Sequence, residues 1–241
     1  MSRRTALVTG STDGIGVAIA RTLAIGGAQV IVSGRNAERG EQVVKSILDG
    51  GGEARFAAAD LSTGDGVRAL AAAAGPVDIL VNNAAMLIAP QPTADVGEDV
   101  IDQALSTNIK AVFQLTGLVA PAMADRGAGA IVNVGSINGL VGMAHSALYS
   151  ATKAAIHSLT KSWAAEYGPS GVRVNTVAPG PTITPIMAAY ADRIEPIIAR
   201  APSQRPSTPE QIAAAVAFLV SDNAANIHGA LLSVDGGLTA I

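Results

Sequence analysis

Residues 5–16 read Thr-Ala-Leu-Val-Thr-Gly-Ser-Thr-Asp-Gly-Ile-Gly: a short apolar run, then glycines at 10, 14 and 16, then the first residues of a helical pattern. This stretch decides the fold. A buried strand, Thr5–Thr9, enters a glycine-rich turn that opens a helix over Ile15–Ile25. Gly10 permits the tight turn. Gly14 lets a phosphate group approach the backbone, and the helix N-terminus offers free N–H groups and a positive dipole end. Gly16 allows helix and strand to pack closely. Three residues separate the first two glycines, where the usual dinucleotide fingerprint has one. No Lys-Ser/Thr pair follows, which argues against a P-loop. The plain alternative is a glycine-rich βα turn with no ligand.

Outward from this turn, short β-rich runs alternate with longer helical ones. Gln29–Ser33, Ala54–Ala58, Val77–Val81, Ala130–Gly135, Val172–Ala178 and Leu231–Val234 read as further strands, several of them continuously apolar. Such runs suit strands buried on both faces. Helical stretches include Glu38–Asp49, Asp99–Ala124, Tyr149–Tyr167 and Pro209–Val220. The last has a full start signal, with Thr208 as N-cap, Pro209 in the first turn and Gln211 at the capping-box position. Alternating β and α implies crossover connections, hence an α/β fold with a parallel sheet and helices on both faces. Nothing resembles a linker or repeat, so residues 1–241 are expected to form one domain. Residues 181–208 carry five prolines and little periodicity, and are the candidate for a flap.

Composition narrows the function. Of 241 residues, 49% are apolar and only 15% charged, enough for a large core. The net charge of −3 gives no support to a general nucleic-acid role. There are no cysteines, which excludes disulfides, thiolate metal sites and cysteine nucleophiles. The three histidines, at 145, 157 and 228, share no metal-ligand spacing, so no metal is expected. No apolar run approaches the about 18 residues that cross a bilayer. The opening Met-Ser-Arg-Arg-Thr is too short for a signal-peptide core, and the expected location is the cytoplasm.

A dinucleotide site has a second checkpoint at the end of the second strand. An NAD site wants an acid there for the ribose 2′-hydroxyl. The chain has Ser33-Gly34-Arg35-Asn36 instead. Arg35 can pair with a 2′-phosphate and stack on adenine. NADP(H) is therefore favoured, with NAD(H) as the alternative. Arg35 as an ordinary solvated arginine is the bland reading. Asp13 works against the phosphate, because it places a negative charge near it.

With this turn, Asn82-Asn83-Ala84-Ala85 after the fourth strand, Ser136 after the fifth, and Tyr149-x-x-x-Lys153, the sequence resembles the short-chain dehydrogenase/reductase family. Within it, the likeness is to 3-oxoacyl-carrier-protein-reductase-like members. The likeness runs from Thr5 to Val234-Asp235-Gly236-Gly237. It implies a single Rossmann domain with a seven-stranded parallel sheet, assembled as a homo-oligomer, tetramer or dimer. By the same resemblance, Asn108, Ser136, Tyr149 and Lys153 fall at catalytic positions. Gly10, Ser11, Thr12, Asp13, Gly14, Ile15 and Gly16 line the cofactor turn. Asp60 and Leu61 lie by the adenine, Asn82 and Ala84 along the cofactor, and Pro179, Gly180, Thr182 and Thr184 around the nicotinamide carboxamide, with Tyr149 and Lys153 also touching the cofactor. Ala85 departs from the pattern, since the family usually has glycine there.

The chemistry implied is interconversion of a small-molecule ketone and a secondary alcohol. A free tyrosine has a pKa of about 10, too high for efficient proton transfer near neutrality. Tyr149 and Lys153 share a helix face at i,i+4. A charge at about 4 Å is worth roughly 4 kcal/mol at an effective dielectric near 20. The expectation is a phenol lowered by up to about 3 pH units. Tyr149 would then act as general acid or base, Ser136 would hold the substrate oxygen, Lys153 would bind the ribose hydroxyls, and Asn108 would hold a water. Each residue also has a plain reading. A Tyr-x-x-x-Lys pair on an exposed helix usually does nothing; Asn108 could bridge a helix kink, Asp60 could end a strand, and Ser136 could close an ST-turn. His145 could line a pocket or lie in solvent. His157, continuing the Tyr149–Lys153 face, is expected to pack against a neighbouring element. The helix around Ile212–Val220 has surplus apolar surface suited to a partner subunit. A 3-oxoacyl thioester, steroid, sugar, polyol or small xenobiotic ketone all remain open, and a non-catalytic nucleotide-binding sensor or scaffold is the rival reading.

Overall fold

The computed structural model describes residues 4–188 and 191–241. Met1–Arg3, part of the N-terminal segment read above, and Ala189 and Tyr190, inside the expected flap, lie outside the described residues.

Seven strands form one parallel sheet in the order β3-β2-β1-β4-β5-β6-β7. They are β1 (Thr5–Val8), β2 (Gln29–Gly34), β3 (Glu53–Ala58), β4 (Ile79–Asn82), β5 (Gly129–Val134), β6 (Val172–Pro179) and β7 (Leu231–Val234). Successive side chains point to opposite faces, and both faces are covered. Ala6, Val8, Val30, Val32, Ile79 and Val81 pack under α1 (Gly14–Ile25), α2 (Ala37–Asp49) and the C-terminal helix. Leu7, Ile31, Leu80 and Ile131 face α3 (Gly64–Ala74) and two longer helices on the other side. All four of these side chains are fully buried. Each contributes about 1.5–3 kcal/mol of apolar transfer.

The strand order reverses between β1 and β4, the place where such sheets open a crevice beyond the carboxyl ends of the strands. Glycine turn, Asn82 segment and β5 end all meet there.

The expected helix over Asp99–Ala124 is three pieces: α4 (Glu98–Leu105), a π-helical turn over Ser106–Lys110, and α5 (Ala111–Asp125). The sequence reading also passed over α3, which Thr63 caps by accepting the Gly66 N–H. After α6 (Ala147–Tyr167), the 181–208 segment holds two short helices, α7 (Pro185–Ala188) and α8 (Ala191–Ile198), before α9 (Pro209–Val220). Its ends are stitched together. Thr182 bridges Ser207, the Ile183 N–H donates to Ser207 O, and the Ser207 N–H to Pro181 O. The full capping box of α9 forms as the sequence indicates. No helix among the described residues is long and apolar enough to cross a membrane.

Candidate active site

The glycine turn is fixed from both sides. Gly10 and Gly14 have φ of 63° and 50°, in the left-handed region that favours glycine. A Cβ on Gly16 would lie 2.3 Å from Gly10 O, so that position admits no side chain. Ser11 is wholly buried; its Oγ donates to Val8 O and accepts from the Ser33 N–H, tying β1 to β2. Its own N–H donates to Ser33 O. Ser11 therefore shapes the turn and has little left to give a ligand. Asn83 clamps the turn, with Nδ2 donating to Thr9 O at 2.9 Å and Gly10 O at 3.1 Å. Sequence reasoning quoted Asn83 in its motif but gave it no role. Thr184 lies over Gly14, its Cγ2 3.5 Å from where a Cβ would sit. Ile15 is half-buried beneath the turn and packs on the core.

At the β2 end, Thr12 packs against Gly34. Asp13 caps α1 by accepting the Gly14 N–H, and its carboxylate pairs with Arg39 at 3.0 Å. The repulsion expected of Asp13 is thus offset by an arginine the sequence reading missed. Nothing in the linear pattern links two residues of opposite charge that distant. Asp60 accepts from the N–H and Oγ of Ser62, bonds that hold its carboxyl below the ordinary range, with the nearby Arg35 charge a smaller cause. It is an Asx-turn and a neighbour of Arg35 at once. Leu61 packs on the Leu7–Ile31 face.

Asn82 points away from the crevice. Its Nδ2 donates to Asn133 Oδ1 at 2.8 Å and to Thr116 Oγ1; Asn133 in turn donates to Thr160. Asn82 and Asn133 are therefore a buried polar rung across β4 and β5, and Asn82 can meet a ligand only through its backbone. Ala84 packs its Cα against Gly10, and its N–H donates to Thr9 Oγ1. Ala85 is not among the non-glycine residues with positive φ, which among those described are His145 and Gln204. Alanine there strains nothing.

Ser136, Tyr149 and Lys153 meet where β5 ends and α6 begins. Ser136 is buried; its Oγ accepts from the Asn138 N–H, and its side chain lies close enough to the Tyr149 hydroxyl to pull the phenol's pKa down. The ST-turn and the contact with Tyr149 coexist. Lys153 is buried beneath the Tyr149 ring, Nζ 5.6 Å from its centroid, and donates to Val134 O at 2.9 Å. Here the expectation of a lowered phenol fails. Burial pushes Tyr149 up to about 12, and the Ser136 side chain recovers only part of this. Burial also lowers Lys153 to about 8. The i,i+4 argument placed the ammonium beside the phenol oxygen, whereas Nζ lies under the ring and is turned to a carbonyl. Desolvation then dominates both groups.

Asn108 sits in the π-turn, nearly fully buried. Its Oδ1 accepts the Met86 N–H at 2.6 Å, and its Nδ2 donates to Met86 O and to Thr152 Oγ1. It does bridge backbone at a helix irregularity, and that bridge reaches the residue next to Lys153. π-turns inside α-helices concentrate at functional sites.

Pro179 ends β6, the Gly180 N–H donates to Val234 O, and Thr182 is buried with Oγ1 bonded to Gly180 O. His145, at φ 64°, accepts the Gln91 N–H through its carbonyl and so joins two cleft loops. It lines a cavity of about 220 Å³ whose apolar wall includes Ile88, Ala89, Val96 and Ile101, with Gln91, Thr93, Ser146 and Tyr149 also on the lining. Among the described residues, no three His, Asp or Glu side chains gather as a metal site would require.

These features belong to a recognisable class. The profile of the family described as short chain dehydrogenase matches residues 4–195, and the chain belongs to that family. As such it is an oxidoreductase acting on alcohol or ketone groups. It is 41% identical to the cis-4-hydroxycyclohexanecarboxylate dehydrogenase of Sinomonas cyclohexanicum, over all of this chain and 98% of that one. It is 39% identical to the acetoacetyl-CoA reductase of an Acinetobacter strain, over 98% of each. Among solved structures, a short chain dehydrogenase/reductase family protein superposes with a TM-score of 0.93 at 45% identity, covering 100% of this chain and 99% of that one. An actinorhodin polyketide ketoreductase with NADPH superposes at 0.94 and 35% identity, over the whole of both chains.

Proposed function

We propose that the protein interconverts a small ketone and its secondary alcohol with NADP(H), in preference to NAD(H), and that Asn108, Ser136, Tyr149 and Lys153 carry the reaction. The observation that supports this most is the convergence of the buried Ser136 on the Tyr149 hydroxyl, with the buried Lys153 ammonium beneath the same ring. The glycine turn fits a dinucleotide pyrophosphate: Gly10 and Gly14 leave the backbone bare, and the α1 N-terminus supplies donors. Arg35 at the exposed β2 end fits a 2′-phosphate. When bound, the nicotinamide supplies or accepts the hydride.

The chain's own residues handle the oxygen and its proton. Ser136 donates to the substrate oxygen as negative charge develops there. Tyr149, protonated in the neutral range because its pKa is about 12, gives its proton to that oxygen in reduction. In oxidation it must take one, which higher pH favours. Lys153 supplies the positive field and donors for ribose hydroxyls, and Asn108 fixes the loop beside Thr152. The apolar cavity beside Tyr149 suits a compact hydrocarbon substituent better than a highly hydroxylated one. The 181–208 segment, with Thr184 over the turn, serves as the substrate flap. Exposed Phe113 and Leu118 on α5 and Phe218 on α9 suit contacts between copies in a dimer or tetramer.

The test is a titration with NADPH and, separately, NADH, followed by turnover on cyclopentanone, 4-oxocyclohexanecarboxylate and acetoacetyl-CoA. Tighter NADPH binding with turnover of a cyclic ketone supports the reading. Binding of neither nucleotide would overturn it in favour of a scaffold.

A further inference from the structure

One buried titratable side chain has no part in the scheme above. His157 is only 7% exposed, and neither ring nitrogen has a hydrogen-bond partner among the described residues. It follows Tyr149 and Lys153 at the same four-residue interval on α6, so all three share a face. Its ring occupies a slot left by two glycines that flank Ser136. A Cβ on Gly135 would lie 2.3 Å from His157 Nε2, and one on Gly139 2.6 Å from Cε1. The segment between them is a tight turn, with the Gly139 N–H donating to Ser136 O. The ring thus lies directly against two residues that have no side chains.

We propose that His157 is a positioning residue: wedged beneath the Gly135–Gly139 turn, its ring sets the height at which Ser136 Oγ meets the Tyr149 hydroxyl. The inference rests on the proposed roles of Ser136 and Tyr149. Its logic is mechanical. Ser136 is tied within the turn by the Gly139 N–H on its carbonyl and the Asn138 N–H on its Oγ, and Ile137 beside it is buried, but the two glycines that face the ring offer it no side chain of their own. The imidazole supplies the missing support. Two orphan nitrogens make it a costly filler, since an unsatisfied buried polar group costs about 1–3 kcal/mol. Its charge state suits the place. Burial holds its pKa below the ordinary value and the Lys153 and Lys161 ammoniums push the same way, while the Gly139 backbone, close to the ring but outside good hydrogen-bond geometry, pulls back. A neutral ring adds no charge beside Lys153.

The test is a thickness swap. His157→Ala removes the support, Gly135→Ala makes the layer too thick, and the double variant restores the total; all are made in a Thr176→Ser background, because the new Cβ would also lie 2.9 Å from Thr176 Cγ2. The readout is the ¹⁹F signal of fluorotyrosine at position 149, assigned with Tyr149→Phe and calibrated with Ser136→Ala, together with kcat for cyclopentanone and NADPH affinity. Each single change is expected to move the signal toward that of Ser136→Ala and to lower kcat about ten- to a hundredfold, with NADPH affinity within about twofold. The double variant is expected to recover most of both. A Tyr149 signal unmoved in His157→Ala, or a double variant no better than the worse single, would overturn the proposal. His157→Asn, flat and polar, stands in with the same readouts if His157→Ala does not fold. The ¹⁹F result decides the matter even if cyclopentanone is not turned over, so failure of the enzymatic reading is seen separately.

Discussion

At the Tyr149 end of the crevice the polar groups are buried and fixed: Lys153 and Asn108 are almost inaccessible, and Ser136 is held by its turn. At the Arg35 end they stand in solvent. Asp13 and Arg39 form an ion pair with both side chains about half exposed, and Asp60 is exposed too. The first end sits on strand ends and a long helix and stores electrostatic cost. The second sits on loops, stores little, and can be altered with little consequence for the fold. The proposed selectivity between nucleotides and the proposed proton transfer thus rest on separable parts of this molecule.

The largest expected effect lies at the buried end. Tyr149→Phe should lower turnover by about a thousandfold while leaving NADPH binding intact, as nucleotide fluorescence and steady-state rates would show. Unchanged turnover would break the contrast outright. Gly16→Ala comes next. Its Cβ cannot coexist with Gly10 O, so a loss of about 1–3 kcal/mol in urea unfolding and loss of nucleotide binding are expected.

Lys153→Met probes the stored cost. Burial lowers this lysine to about 8 from an unfolded value of 10.5. Below pH 8 the charged form weighs fully against the fold, and the unfolded chain holds the extra proton between 8 and 10.5. Wild-type stability from this group should therefore rise with pH across that window. The variant's advantage, about 3 kcal/mol at pH 7 less the lost Val134 hydrogen bond, should shrink toward pH 10.5 in melts at graded pH. A constant gap would show that the lysine is not desolvated.

At the exposed end, Arg35→Ala should weaken NADPH about tenfold and NADH hardly at all. Equal losses would remove Arg35 from the 2′-phosphate. The smallest effect concerns His157. Its lowered pKa means that the native state binds fewer protons, so stability falls as pH drops from 6.5 toward the folded value, and His157→Gln should flatten that decline.

The sheet was legible because Val30-Ile31-Val32 and Ile79-Leu80-Val81 are apolar on both faces, a pattern only a covered parallel sheet rewards. The catalytic-looking set was legible through its spacing and its motifs. Asn108's π-turn was not, because one extra residue in a helical turn leaves the apolar period from Asp99 to Ala124 nearly continuous. α3 was hidden by its glycines and a run of alanines with no contrast between faces. Arg39 was hidden because its partner lies in the preceding βα unit. The pKa direction was misread because an i,i+4 spacing states where two Cβ atoms lie and says nothing of how far each head group is dried. Asn82 and Asn83 were adjacent letters in one motif. Only the strand's alternation sends one into the sheet and the other onto the turn.

The stitched neck at Thr182 and Ser207 has a consequence of another kind. Everything between those two residues leaves and returns through one fixed doorway, closed by backbone bonds that any sequence could make. Residues 201–205 are pinned again, with Ala201 buried and the Ser203 N–H donating to Gly236 O, so the part between Ile183 and Ala201 can lengthen, shorten or be replaced without disturbing β6, α9 or the residues proposed to move the proton. Such a segment behaves as a cassette: a graft of a relative's excursion at this neck should change which alcohols are accepted while the chemistry carries on unaltered.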